Sequence, residues 1–359
     1  MTTMTDVALL RLVAQRVAGP RFAGAGEAVR WLTAVQAQDY AGALAAVSLR
    51  TAGGDGIEAA LDDGEVVRSW PMRGTLHLVP AEDLGWMLAL TTDRLLAGAA
   101  RRRAQLGIDD AMVDRAGELA HEALTGRSLS REELVAVWER AGLLGVPQRG
   151  YHLLWTLSQR GLTVFGPTTG GRQRLVLLEE WVPRPRRLEP EEALGEWALR
   201  YFRSHGPATR KDFQWWTKLT AREATVGMAL ARERLESVEV DGVEHLMDPS
   251  TPERLAAARR AARAVHLLPG FDELLLGYQD RRASLPPEFA DRVVPGGNGM
   301  FRPMVVAGGT VVGTWRWTGR GDRRTIVAEP FTEFSARVAG AIPKLAAAYP
   351  APRAAASAP

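Results

Sequence analysis

The sequence lacks cysteine altogether and has only three lysines, Lys211, Lys218 and Lys344. The absence of cysteine excludes disulfides, thiolate zinc sites, iron–sulfur clusters and a cysteine nucleophile. Long apolar runs are also missing, since none approaches the roughly 20 residues that span a bilayer. The first residues do not show the basic, apolar and small-residue zones of a signal peptide. We therefore expect a cytoplasmic protein without a membrane segment.

Positive charge is carried almost entirely by arginine. The chain has 45 basic and 42 acidic residues, which leaves a net charge of +3. Arginine suits bidentate binding of phosphate. A chain rich in Ala, Arg, Gly and Pro is also typical of GC-rich coding DNA, which gives the same preference for arginine. Charge alone therefore permits nucleic-acid binding without showing it.

A chain of 359 residues, 46% of them hydrophobic, is long enough for two to four globular units. Three segments repeat one order of elements, helices followed by a short strand pair, which is the order of a winged helix. The sequence therefore predicts an α+β fold of three tandem winged-helix units and a β-rich, barrel-like C-terminal unit. The predicted boundaries are 1–110 (with a bridging helix), 111–187, 188–264 and 265–349, and a disordered tail at 350–359.

Local signals support this division. Ser130 opens a predicted capping box, and Thr209 and Thr220 are predicted to cap two later helices. The pair Asp241-Gly242 predicts a tight hairpin turn. From residue 265 the pattern changes to short β-like runs, VHLLPGFDELLLGY, RPMVVAGGTVVGTWRW and RRTIVAEPF, which predict a small sheet or barrel.

Gln36 and Gln38 stand between an apolar helical pattern and a helix predicted to start near Tyr40. Residues two apart lie about 200° apart on a continuous helix, whereas they share a face in extended backbone. The two amides can act together only if the first helix ends near Gln36 and the motif lies in a turn. The alternative is that Gln38 or Asp39 simply caps the next helix and Gln36 is exposed.

Five stretches carry a family resemblance: WLTAVQAQDYAGALAAVSLR (31–50), RSWPMRGTLHLV (68–79), QRGLTVFG (159–166), HGPATRKDFQWW (205–216) and LLPGFDELLLGYQDR (267–281). Together they resemble the AlkZ/YcaQ family of winged-helix DNA glycosylases, which excise alkylated bases and can unhook crosslinks. YcaQ-like members carry Asp in the second motif position. The Gln-x-Gln pattern therefore resembles the AlkZ branch, which is linked to protection against genotoxic natural products.

The resemblance implies that Gln36 and Gln38 are the catalytic pair. A glutamine cannot serve as a conventional general base, but it can position a water. That suffices for a cationic N7- or N3-alkylated purine, whose positive charge weakens its bond to the sugar. The two carbonyl oxygens would also stabilise a developing oxocarbenium ion through their dipoles. Asp39 is the competing catalyst, because its carboxylate could deprotonate the water.

Two basic segments are candidate DNA contacts. Arg73, for phosphate, and His77, as a donor, lie near the first predicted wing; the alternative is a buried strand whose arginine caps a turn. The hairpin GTWRWTGRGDRRT is the second segment, and it could enter a groove or form a solvated turn. Its arginines are Arg316, Arg320, Arg323 and Arg324. Asp272 and Arg281 match a family pattern and are interpreted first as a structural ion pair, second as support for the active-site cleft.

The predicted function is a monofunctional DNA glycosylase that acts as a nucleoid-associated monomer on double-stranded DNA with alkylated bases. Its substrates are bulky, cationic N7-alkylguanine or related adducts, with interstrand crosslinks and self-resistance to a genotoxic natural product as extensions. Lyase activity is not expected, since no lysine lies near the glutamines to form a Schiff base. The resemblance implies no metal or other cofactor, and the six histidines lack ligand spacing. The alternatives are a non-enzymatic winged-helix transcriptional regulator and a protein that sequesters the genotoxic metabolite.

Overall fold

The computed structural model describes residues 3–53, 56–319 and 323–350, which form two units. Unit 1 draws its described residues from both ends of the chain, 3–53 and 194–350, whereas unit 2 is the continuous stretch 56–193. The predicted tail lies outside the described residues except for residue 350. The five segments expected from the sequence divide the chain at other positions and stay predictions.

The N-terminal part of unit 1 is mainly helical and carries the glutamine pair. A capping box at Thr3 starts the first helix, because the Thr3 hydroxyl and the Asp6 carboxylate each satisfy a backbone N–H. The second helix ends four residues before Gln36, and the chain is extended at Gln36 itself. The elements are α1 (Met4–Ala14), α2 (Ala25–Leu32), β1 (Val35–Gln36) and α3 (Tyr40–Ser48).

Unit 2 contains two hairpins and the helices between them. Its first elements are α4 (Ile57–Asp62), β2 (Val66–Met72), β3 (Thr75–Pro80) and α5 (Leu84–Gln105). Then follow α6 (Asp110–Leu124), α7 (Arg131–Arg140), α8 (Arg149–Gln159), β4 (Thr163–Thr169), β5 (Arg172–Leu177) and α9 (Leu178–Trp181). These strands are antiparallel and lie in the order β3-β2-β4-β5. The predicted capping box at Ser130 is confirmed at the start of α7.

The chain returns to unit 1 through a helical segment and a further hairpin. The elements are α10 (Pro190–His205), α11 (Arg210–Thr217), α12 (Ala221–Ala231), β6 (Glu236–Val240), β7 (Val243–Met247) and α13 (Thr251–Ala262). Thr209 and Thr220 form capping boxes at α11 and α12, as predicted. Asp241 (φ 51°) and Gly242 (φ 76°) both have positive φ, which is the backbone that the predicted two-residue hairpin turn requires.

The last part of unit 1 is a sheet with helices on it: β8 (Val265–Leu268), α14 (Glu273–Leu276), α15 (Ala290–Val293), β9 (Met304–Ala307), β10 (Thr310–Thr318), β11 (Thr325–Pro330) and α16 (Ala336–Ala347). The strands are antiparallel in the order β11-β10-β9-β8. The barrel-like prediction is wrong, since this described sheet is open, and closing a barrel around side chains typically takes about eight strands. Helix α16 packs on the sheet instead, with Val338 in the same apolar cluster as Val305 and Trp315.

Two local predictions fail in this part. The run FDELLLGY has a β-like composition, yet 273–276 is the helix α14, because the Asp272 carboxylate accepts the Leu274 N–H at 3.0 Å and caps a helical turn. Only β elements are predicted after residue 265, yet residues 336–347 form the helix α16, which contains Pro343.

The core of unit 1 joins the two chain ends around α14. Leu12 of α1, Leu255 of α13, Leu275 of α14 and Met304 of β9 belong to one buried apolar cluster. This cluster fixes the backbone of α14 and therefore the position of Glu273 at its first residue. No helix in the described ranges is long and apolar enough to cross a membrane.

Candidate active site and DNA contacts

The Gln36–Gln38 segment lies outside a helix, which is one of the conditions for joint action of the two amides. Helix α2 ends at Leu32, and the buried Thr33 follows with φ 71°, a conformation that costs a β-branched residue roughly 1–3 kcal/mol. The chain then becomes extended at Val35–Gln36. Gln36 is buried, with 6% of its surface exposed, whereas Gln38 is exposed.

A hydrogen bond links the two glutamines directly. The Gln38 backbone N–H donates to the Gln36 side-chain Oε1 at 3.2 Å. A carbonyl oxygen has two lone pairs, so Gln36 Oε1 can accept a second hydrogen bond while it holds this one. The contact fixes the direction of the Gln36 amide and ties the buried residue to the exposed one.

Asp39 caps the helix that follows the pair. Its carboxylate Oδ1 accepts the Gly42 N–H at 3.1 Å at the start of α3. A Cβ at residue 42 would lie 2.5 Å from Asp39 Oδ2, so only glycine leaves room for this cap. The alternative interpretation is therefore correct that Asp39 caps the next helix. It is wrong that Gln36 is exposed, because Gln36 is buried.

Sequence reasoning missed Glu273, which lies behind Gln36. It is 1% exposed, and its carboxylate accepts N–H groups from two elements and lies beside a histidine ring of a third. Oε1 accepts the Gln36 backbone N–H at 3.4 Å, and Oε2 accepts the Trp216 indole N–H at 2.8 Å. The His205 ring Nε2 lies 3.4 Å from Oε2. The one sequence signal was an acidic residue next to three leucines.

Ser204, His205 and Glu273 form a hydroxyl–imidazole–carboxylate series. The Ser204 hydroxyl lies 2.8 Å from His205 Nδ1, and Nε2 faces the carboxylate. Such a series can activate a nucleophile in other enzymes. Here Ser204 and His205 are fully buried, so the hydroxyl cannot reach a substrate and the series has a structural role.

A buried ion pair joins α3 to α14, and it corrects the predicted partner of Asp272. Arg50 donates to both carboxylate oxygens of Asp272, at 2.8 and 2.9 Å, with both side chains fully buried. Arg281 does not form the predicted pair. Its guanidinium donates to the Leu275 carbonyl and stacks over the Trp215 ring. Arg281 follows Asp272 by nine positions and lies beyond the short helix α14, whereas Arg50 faces Asp272 directly.

The prediction that His77 donates to DNA is also wrong. Its ring is fully buried in β3, with Nδ1 bonded to the Thr75 carbonyl at 2.8 Å and Nε2 2.8 Å from an Arg73 nitrogen. Burial and the positive charge of Arg73 lower the pKa of His77 well below its usual value. The ring is therefore neutral, with Nε2 as the acceptor from Arg73. Arg73 is half-buried in the turn between β2 and β3 with φ 58°, and its contact with phosphate stays a prediction.

The described arginines of the basic hairpin are exposed. Arg316 on β10 donates to Glu329 on β11 at 3.0 Å, with both side chains more than half exposed. Arg323 and Arg324 are exposed at the start of the returning strand, and Arg320 lies outside the described residues. Within the described ranges no group of three or more histidine or acidic side chains is arranged to hold a metal ion.

The mixed helical and sheet scaffold of this chain matches that of known DNA repair enzymes. The family model for the AlkZ-like DNA glycosylases matches residues 29–351, and the chain belongs to this family. It is therefore a DNA glycosylase.

Two relatives are similar over most of the chain. A curated protein of Streptomyces sahachiroi, an interstrand DNA cross-link repair glycosylase, is 30% identical over 309 residues, which cover 81% of each chain. The solved structure of the Streptomyces sahachiroi DNA glycosylase AlkZ superposes with a TM-score of 0.78 and 27% sequence identity, covering 96% of this chain and 95% of that one.

Proposed function

We propose that the protein is a monofunctional glycosylase that hydrolyses the N-glycosidic bond of bulky, cationic N7-alkylguanine and related alkylpurines in double-stranded DNA. The observation that carries the proposal is the fixed amide pair: the Gln36 carbonyl is oriented by the Gln38 N–H, and Gln38 is exposed. In this mechanism the two amides hold a water beside the sugar C1′, and the cationic base leaves as a neutral molecule. The bond from C1′ to the base breaks as the water oxygen bonds to C1′, and the water gives its extra proton to the solvent, so neither glutamine acts as a base.

The choice of substrate follows from the strength of the catalyst. A neutral amide stabilises positive charge by its dipole, which is weaker than a full negative charge. An uncharged base such as uracil would leave as an anion and would need stronger activation. The proposed enzyme therefore prefers cationic adducts and releases uracil or hypoxanthine slowly.

Crosslink repair is an extension of the same chemistry. The curated relative is named for interstrand cross-link repair, and a crosslink through purine N7 atoms presents two cationic bases of the preferred kind. We propose that this protein also unhooks such crosslinks, and that it thereby protects its host against the natural product that forms them.

DNA binding is proposed to use the helix–hairpin segments and the basic hairpin. In unit 2 the order α6, α7, α8, β4, β5, and in unit 1 the order α10, α11, α12, β6, β7, are those of winged helices. Arg316, Arg323 and Arg324 are proposed to contact phosphate. The regulator alternative is not favoured, because the family is enzymatic.

The test is excision from defined duplexes. Duplexes with one N7-methylguanine, one bulkier N7 adduct or one uracil are incubated with the protein and then treated with alkali, which cleaves at abasic sites. We expect cleavage at both cationic adducts and little at uracil. Equal release of uracil would contradict the amide mechanism, and cleavage without alkali would contradict the monofunctional assignment.

A further inference from the structure

We propose that Glu273 is a positioning residue for Gln36, holding its main chain so that both amides keep their catalytic orientation. This inference rests on the proposed function. Glu273 does not contact substrate in this role, since it is buried beneath the motif. It acts through the Gln36 N–H, which its Oε1 accepts at 3.4 Å.

Glu273 is itself held firmly. Its backbone carbonyl accepts the Gln15 side-chain N–H at 3.0 Å. The preceding residue, Asp272, is locked by the bidentate pair with Arg50, and the following leucines of α14 lie in the core. The Trp216 indole N–H fixes the carboxylate at Oε2. Contacts to the carboxylate, the backbone and the neighbours of Glu273 therefore give the motif a stationary anchor.

The site requires a carboxylate rather than an amide of the same shape. The Gln36 N–H and the Trp216 N–H reach different oxygens of Glu273, so both oxygens must accept. A carboxylate accepts at both, whereas glutamine has one accepting oxygen and an NH₂ group that would face a donor. A buried N–H without a partner is energetically costly. We therefore expect the Gln36 main chain to move when residue 273 is a glutamine.

Glu273 influences Gln38 through Gln36. The Gln36 main-chain N–H donates to the Glu273 carboxylate, and the Gln36 Oε1 in turn accepts the Gln38 N–H. Loss of the contact to Glu273 would therefore disturb Gln36 and, through it, Gln38. Removal of the Gln36 side chain abolishes the hydrogen bond to Gln38 and therefore disconnects Gln38 from Glu273.

The experiment is a double-mutant cycle between Glu273→Gln and Gln36→Ala. The single-turnover rate of N7-methylguanine excision is measured with saturating enzyme, and affinity is measured with a duplex that carries a stable abasic-site analogue. Alone, Glu273→Gln is expected to slow excision about tenfold or more while affinity changes less than about twofold. In the Gln36→Ala background it is expected to slow excision less than about twofold further.

A matched control is Asp212→Asn, another fully buried carboxylate of unit 1, which accepts the N–H groups of Gln279 and Asp280 and does not contact Gln36. It is expected to lower thermal stability with less than about a twofold change in the excision rate. If Glu273→Gln does not fold, Trp216→Phe frees one carboxylate oxygen and is expected to slow excision severalfold, again only when Gln36 is present.

The outcomes separate this inference from the proposed function. A full, additive loss from Glu273→Gln in both backgrounds, or no loss at all, would overturn the positioning role while the effect of Gln36→Ala still stands. A wild-type rate for Gln36→Ala would overturn the amide mechanism itself, and the positioning role with it.

Discussion

The two glutamines differ in their surroundings, because Gln36 is buried against Glu273 and Gln38 is exposed. Under the proposed mechanism both carbonyls hold the water, so each is needed. We expect Gln36→Ala and Gln38→Ala each to slow excision of N7-methylguanine by at least about tenfold, which is about 1.4 kcal/mol of transition-state stabilisation. The measurement is the single-turnover rate, with circular dichroism to verify that the variants fold.

Gln279→Ala is the matched control for this pair, since it removes an exposed glutamine side chain of unit 1 outside the motif. Its excision rate should equal that of the wild type. Wild-type rates in both motif variants would remove the amides from the mechanism.

Asp39 separates helix capping from catalysis at the level of a single residue. Asp39→Asn removes the charge but keeps an oxygen that can cap α3, and asparagine is about as good a cap as aspartate. We expect stability to be nearly unchanged and the excision rate to fall less than about tenfold, whereas loss of an essential general base costs about 10²- to 10⁴-fold. A collapse of the single-turnover rate with DNA affinity intact would make Asp39 the catalyst.

At the scale of elements, the hairpin β10–β11 presents arginines without burying them. Each cation that contacts phosphate releases condensed counterions, so log affinity falls linearly with log salt concentration. Replacing Arg323 and Arg324 together by alanine should flatten that slope by about 1 to 2 units, with little change in sequence preference. Binding of an undamaged duplex across a salt series is the measurement.

The control for the hairpin has the same change of charge at another place. Arg259 and Arg260 are exposed in α13 of the same unit, and their double alanine variant should keep most of the wild-type slope. Equal slopes in wild type and the hairpin variant would place the hairpin away from DNA.

The sequence predicted those elements whose signals are local. Ser130, Thr209 and Thr220 cap helices within three residues of themselves, and the turn at 241–242 depends on two φ angles. Side-chain partners could not be predicted in the same way. Asp272 pairs with Arg50 across 222 residues, and Glu273 contacts Gln36 across 237. Contacts this distant in the sequence produce no short spacing pattern from which they could be predicted. The family pattern suggested the nearby Arg281 as the partner of Asp272, whereas the actual partner is distant in the sequence.

At the scale of the whole molecule, the two units differ in how the chain enters them. Unit 2 is one continuous stretch, whereas unit 1 needs both ends of the chain. The core of unit 1 contains Leu12 together with Leu275 and Met304, and the buried Arg50 requires Asp272, since an unpaired buried charge typically costs about 3–5 kcal/mol. The N-terminal segment of unit 1 is therefore not expected to fold stably without the second segment.

This division of unit 1 sets an order of events on the ribosome. Gln36 is made early, but Glu273 follows 237 residues later, a delay of roughly 10 to 50 s at about 5–20 residues per second. During that interval the continuous stretch of unit 2 can fold, whereas the Gln36–Gln38 segment still lacks its contact with Glu273. Under the proposed mechanism a chain that stops before residue 273 therefore lacks the anchor of its amide pair, and full hydrolytic activity is acquired only after the second segment of unit 1 has been synthesised.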